Sequence, residues 1–148
     1  MRVGAMTAIF LLDRLAKHWA ATWLMVRGSV RVLPFFYLTY VENTGAAFGI
    51  GFSRNRFFIW LSSVLLAVLL ILQGRWTRKN FWLQAGLVLV AGGAVGNLYD
   101  RVAYGYVVDF LDFRIWPVFN VADSCVSIGA CLLAWGMTVE DRQEKKRD

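Results

Sequence analysis

Residues 81–113 read FWLQAGLVLVAGGAVGNLYDRVAYGYVVDFLDF. From Phe81 to Tyr99 the run is apolar and close to the ~20 residues a helix needs to cross the hydrocarbon core of a bilayer. Within it Gly92 and Gly96 stand four apart, a spacing that lets a neighbouring helix come close. The segment GGAVGN lacks the lysine and the preceding strand of a phosphate-binding loop, so packing explains its glycines better than phosphate does. Polar residues begin where the run ends. Asn97 and Asp100 are three apart on one helix face, and Arg101 follows. A salt bridge between Asp100 and Arg101 that fixes a loop is the first reading of that pair.

Three more apolar runs of similar length stand at Val3–Met25, Phe57–Gln73 and Phe119–Val139. The spacing therefore predicts one membrane domain over residues 1–148: an all-α membrane protein of four transmembrane helices. An even number of spans puts both termini on one side. Arg75, Arg78 and Lys79 in the short connection, with the basic tail Arg142–Arg147, mark that side as cytoplasmic. Residues 26–56 and 100–118 are then extracytoplasmic. Val30–Val41 (VRVLPFFYLTYV) is rich in β-branched and aromatic residues and reads as extended strands along the membrane surface, with Pro34 at an edge or a strand start. It is either a lid packed on the helices or a platform for substrate.

Composition agrees with a bilayer as solvent. Of 148 residues, 58% are hydrophobic, 16% aromatic and 18% charged, and mean hydropathy is +0.51. The net charge of +6 is gathered in short connections and the tail, which excludes a nucleic-acid groove. Val3–Met25 carries Asp13, Arg14 and Lys17 at its middle, so it reads as a retained helix and not as a cleaved leader. His18 is the only histidine, which rules out a His-rich zinc site. Cys125 and Cys131 lie about 240° apart on a helix; they cannot pair, and they read as buried small hydrophobes. No metal and no cofactor is expected.

The carboxylates are few and each has a bland reading. Asp13 and Lys17, at i and i+4, neutralise each other in lipid, although ionisable groups inside a membrane mark function by default. Asp109 lies in VVDFLDF, where desolvation pushes a carboxyl pKa up; Asp112 is three residues further. In FNVAD, Asn120 reads as an N-cap and Asp123 as a first-turn residue. Asn43 opens a small-residue turn, Asn-Thr-Gly-Ala-Ala-Phe-Gly. Capping and turns do not explain why Asn43, Asn97, Asp100, Asp109, Asn120 and Asp123 all converge on one membrane face.

Four ordered pieces, LDRLAKHW, ENTGAAFGI, GGAVGNLYDRVAYGYVVDFLDF and FNVADSCVSIGA, resemble the motifs of the lipoprotein signal peptidases (signal peptidase II) over nearly the whole chain. The resemblance implies a small extracytoplasmic sheet beside the four helices. It implies an intramembrane aspartyl endopeptidase of the bacterial inner membrane that cleaves prolipoproteins before the diacylglyceryl-cysteine of the lipobox, with lipid-modified substrates and membrane lipids as its partners. By match of residues, Asp109 and Asp123 are the catalytic pair. Asn97, Asp100, Arg101 and Asn120 support it, and Asp13, Lys17 and Asn43 line the site. One departure is that the stretch from Asp109 to Asp123 is a few residues shorter than is usual in the family.

Two other classes compete. In a small proton-coupled transporter, Asp13 would be the coupling carboxylate near the bilayer centre. In a non-catalytic assembly subunit, every carboxylate would tolerate its amide. Tyr99-Asp100 is similar to a motif of other intramembrane aspartyl proteases, but their Gly-x-Gly-Asp partner is missing.

Overall fold

The computed structural model describes residues 2–45, 53–72 and 80–144. Arg75, Arg78 and Lys79, residues 46–49 of the turn that Asn43 opens, and the tail beyond Glu144 lie outside the described residues. The chain is mostly helical with a small antiparallel sheet: α1 (Arg2–Trp19), β1 (Ser29–Leu33), β2 (Phe36–Asn43), α2 (Ser53–Leu72), α3 (Phe81–Ala103), β3 (Val107–Asp112) and α4 (Val121–Glu144). Two stretches, Phe81–Ala103 and Val121–Glu140, are long and apolar enough to cross a membrane.

Helix ends differ from the ends of the apolar runs for local reasons. α3 continues past Tyr99 to Ala103 because no breaker intervenes before Gly105, whose φ is +83°. Asp100 and Arg101 are thus helical, and the loop that they were to fix does not begin until after them. At its other end α3 is capped by Asn80, whose Oδ1 accepts from the Trp82 and Leu83 amides at 3.1 and 3.3 Å. α1 widens into a π-helical turn at Ala20–Leu24, closed by the Met25 amide on the Ala20 carbonyl at 3.0 Å. Such turns insert one extra residue and redirect the chain beyond them.

Val30–Val41 forms strands, as its composition predicts. Pro34, however, sits in the turn between them: it splits the segment into a hairpin in which Leu33 faces Phe36. β2 pairs on its other side with β3, in the order β1-β2-β3, and places Val41 opposite Asp109 and Tyr37 opposite Asp112. The sheet is seated by Phe110, which packs with Ala20 and Leu24 of the π turn, with Trp23, Val30 and Leu38 around them. Burying one such side chain contributes about 1.5–3 kcal/mol.

α3 is the central helix, because its small residues let two others approach. A Cβ on Gly96 would lie 2.7 Å from Asp13 Oδ2, and one on Gly93 would lie 2.4 Å from the Ala122 carbonyl oxygen. The second contact is with backbone that cannot swing away. Gly93→Ala must push α4 outward at the residue before Asp123. It is expected to lower stability by about 1–3 kcal/mol despite alanine's better helix propensity, and to lower any activity that depends on Asp123. Thermal unfolding and turnover of the purified variant measure both. An unchanged midpoint would mean that α4 does not rest on this glycine.

Candidate active site

Three elements aim polar groups at one place: the middle of β3, the mouth of α4 and the C-terminal part of α3. At the mouth of α4 the FNVAD segment folds as a reciprocal cap. The Asp123 amide donates to Asn120 Oδ1 at 2.9 Å, and the Asn120 amide donates back to Asp123 Oδ2 at 3.2 Å. This is the capping-box arrangement with aspartate at its third position. Asn120 also reaches across to the strand, where its Nδ2 donates to Asp109 Oδ1 at 2.6 Å. One buried asparagine therefore touches both carboxylates.

Each carboxylate has a further amide partner. Asn43, at the end of β2, donates through Nδ2 to Asp109 Oδ2 at 2.8 Å while its own Oδ1 accepts from the Gly45 amide at 2.9 Å. Asn97 of α3 donates through Nδ2 to Asp123 Oδ1 at 2.7 Å. The Asn97 amide cannot turn round, because its oxygen already accepts from Lys17 Nζ at 2.8 Å and from Asn120 Nδ2 at 3.2 Å. Asp109 is 1% exposed, whereas Asp123 is half-buried, so the pair is reached from the Asp123 side. Burial, and then the charge of Asp123, pushes the Asp109 carboxyl up to about 6.

Behind this pair lies a buried ionic cluster. Lys17 Nζ is 2.7 Å from Asp13 Oδ2 and 2.7 Å from Asp100 Oδ2. Asp13 turns its other oxygen to the Ala122 amide at 2.9 Å, in the first turn of α4. The Asp13–Lys17 pair therefore forms as its spacing predicts, yet it reaches much further than mutual neutralisation requires. Asp100 is not bridged to Arg101. Its Oδ1 takes Arg14 of α1, because neighbours on a helix project about 100° apart and only Asp100 faces α1. Arg101 turns toward α2: its guanidinium lies 4.9 Å from the Phe58 ring centroid, and its carbonyl accepts from Asn55 Nδ2 at 3.1 Å.

Asp112 stands apart from the pair. It accepts from Thr39 Oγ1 and the Arg114 amide, each at 2.8 Å. From sequence, Arg14 reads only as a charge inside the first apolar run, and Asn55 and Asn80 are given no role. For Asn80 there was a signal, an asparagine just before an apolar run; Asn55 acts across helices and leaves no local trace. Among the described residues no three His, Cys, Asp or Glu side chains are grouped so as to hold a metal ion.

A model of the signal peptidase (SPase) II family matches residues 5–139. The chain belongs to the signal peptidase II family. It is accordingly a membrane protein and a peptidase, of the kind that removes signal peptides from prolipoproteins. Its similarity to the lipoprotein signal peptidase of Pelotomaculum thermopropionicum is 45% identity over 143 residues, 95% of this chain and 94% of that one. With the lipoprotein signal peptidase of Halothermothrix orenii it is 48% identical over 126 residues, 84% of this chain and 86% of the other. A bacterial membrane enzyme solved by the in meso method at 2.3 Å superposes with a TM-score of 0.85 at 32% identity, over 99% of this chain and 92% of that one.

In a membrane member of this family an outward apolar side chain meets lipid and needs no cover from protein. That explains one correction: Cys131 is exposed and Cys125 only partly buried, both free, where burial of both was expected.

Proposed function

We propose that Asp109 and Asp123 are the catalytic pair of an intramembrane aspartyl endopeptidase that cleaves prolipoproteins before the diacylglyceryl-modified cysteine. The observation that carries this reading is Asn120, which bonds both carboxylates from within the cap of α4. Asp109 holds the shared proton in its buried position, and Asp123 takes a proton from water as that water attacks the scissile carbonyl carbon. Asp109 gives its proton to the carbonyl oxygen, so that a neutral diol forms; Asp123 then passes the proton it took from water to the amide nitrogen, and as the C–N bond breaks one hydroxyl of the diol returns a proton to Asp109. Asn43, Asn97 and Asn120 hold the two carboxyls without competing for the proton. Asp13, Lys17, Asp100 and Arg101 hold the amides and helix ends. An Asp13 so fully engaged by Lys17 and the Ala122 amide suits this support better than the coupling role of a transporter.

In this reading α1 with its π turn, α2, α3 and α4 are the four spans, and the pair lies at the extracytoplasmic interface of the bacterial inner membrane, with both termini cytoplasmic. Acyl chains of the substrate, lying among membrane lipids, bring the scissile bond to that depth and turn a search in solution into a local encounter. A lipidated preprotein peptide should therefore be cut by the purified protein and the same peptide without lipid left whole. Efficient cleavage of the unlipidated peptide in detergent would remove lipid anchoring from the mechanism.

Sidedness has its own test. A single thiol placed by Arg78→Cys in a Cys125→Ala, Cys131→Ala background should react with reagent that has entered the cytoplasm. Reaction confined to impermeant reagent added outside would reverse the orientation.

A further inference from the structure

Away from Asn43 the sheet ends in an apolar tip that the peptidase reading leaves unused. The β1–β2 turn and the segment after β3 lie side by side there, with the Phe36 and Phe113 ring centroids 4.9 Å apart. From this tip Leu33, Phe35, Ile115 and Trp116 project, Ile115 at 93% exposure and Trp116 at 69%. Large exposed apolar groups gathered at one place mark an interaction surface.

The tip is built, not frayed. Arg114 has φ of 64°, a left-handed conformation that strains a non-glycine residue. Several contacts hold it. Buried Asp112 accepts the Arg114 amide and sits 3.3 Å from its guanidinium. That guanidinium also donates to Ser29 Oγ at 2.6 Å and lies 3.9 Å from the Tyr37 ring centroid. Such bracing turns the next two side chains, Ile115 and Trp116, outward. Exposed Arg31 stands on the neighbouring strand.

We propose that this tip, Leu33–Phe35 with Phe113–Trp116, is a bilayer anchor seated among phospholipid headgroups, with Arg31 and Arg114 against anionic ones. The inference rests on the membrane reading proposed for the four helices and adds a lipid-binding surface to it. Aromatic and arginine side chains together are the composition of the membrane–water boundary. Short tethers to two spans hold the tip at the bilayer surface, which favours lipid over a protein partner. α3 has 23 residues and spans about 35 Å against a hydrocarbon core of ~30 Å, so Ala103 ends in the headgroup layer. β3 starts after only Tyr104–Tyr106. On the return, Leu111 and Phe119 exchange backbone hydrogen bonds at 2.8 and 3.0 Å, immediately before the mouth of α4. From Leu111 the chain reaches Trp116 within roughly 17 Å.

Anchoring has a mechanistic consequence. The tip joins the strand that bears Asp109 to the helix that bears Asp123, so seating it in lipid fixes the depth of both carboxylates relative to the acyl chains of the substrate.

The test places an environment-sensitive fluorophore on Ile115→Cys, in a Cys125→Ala, Cys131→Ala background, in phosphatidylcholine vesicles with and without phosphatidylglycerol. Quenching by shallow nitroxide lipids should exceed quenching by aqueous iodide several-fold. Phosphatidylglycerol should strengthen it, and Arg31→Gln should weaken that dependence. Dominant iodide quenching would overturn the anchor. So would lipid quenching that appears only on adding lipidated peptide, which makes the tip a substrate surface, or only where energy transfer between copies appears, which makes it a self-contact. Arg78 labelling separates the two readings: reversed sidedness with residue 115 in lipid defeats the orientation alone, and correct sidedness with residue 115 in water defeats the anchor alone.

Discussion

Asp109→Asn and Asp123→Asn should each fold, insert and bind lipidated substrate, yet cleave it about 10²- to 10⁴-fold more slowly, the range that general acid–base catalysis contributes. Each change keeps size and removes the exchange of a proton. Asp109→Asn stays folded because two effects oppose. It no longer buries a charge, but it turns a donor toward Asn43 Nδ2, a conflict of about 1 kcal/mol. Asp112→Asn retains substantial turnover, since Asp112 serves Thr39 and Arg114 and touches neither Asp109 nor Asn120. Asp100→Asn loses activity through the geometry of Lys17 and Arg14. The wild type adds a pH dependence. Asp109 is pushed up to about 6, so its proton is held below that value and lost above it, and kcat/KM should fall as pH rises past it. The same raised value means that stability falls as pH rises from the ordinary carboxyl value of 3.8 to about 6 and stays at the lower level above that. Turnover of a lipidated peptide, measured with unfolding temperature and substrate binding, checks the set. Near-normal turnover by either dyad variant would sink the assignment, and a dead but stable Asp112→Asn would move the catalytic role along β3.

Residues whose partners are near in sequence were legible. FNVAD reads as a cap because N-cap and third-position residues bond within one turn, and Asn120 and Asp123 do so. Asp13 and Lys17 read as a pair because i and i+4 share a helix face. The extended character of Val30–Val41 followed from β-branched and aromatic content; its folding into a hairpin did not, since Pro34 took the turn and not an edge. VVDFLDF carries the same composition, but among apolar runs it gave no sign that it would join β2 as a strand. Partners far apart in sequence were not legible. Asp100 stands beside Arg101 in the chain yet pairs with Arg14, 86 residues away, because helix geometry sends neighbours in different directions. Burial was misjudged for Cys131 on the assumption that apolar means covered by protein, which fails where lipid is the surrounding.

Lys17→Met carries the largest expected effect on stability. Lys17 is 1% exposed; its ammonium lies 2.7 Å from Asp13 Oδ2 and 2.7 Å from Asp100 Oδ2 as ion pairs, and it donates to Asn97 Oδ1 at 2.8 Å. With Arg14, two cations balance two carboxylates. Methionine fills the same space but leaves one cation for two buried anions, and removing one partner of a buried pair costs about 3–5 kcal/mol. Purified Lys17→Met should therefore give little folded protein and a much lower unfolding temperature. Adding Asp13→Asn removes one of the uncompensated charges and should restore much of the stability. Turnover should remain low in the double variant, because Asn97 Oδ1 has lost its strongest donor and the amide no longer has to present Nδ2 to Asp123. Lys17→Arg should not rescue either property, since a planar fork cannot replace a point charge among three oxygens. The cycle of single and double variants separates the two roles of the residue. A stable Lys17→Met with normal turnover would show that neither the charge balance nor the orientation of Asn97 depends on the ammonium. A double variant that regains activity together with stability would reduce Lys17 to a counter-ion.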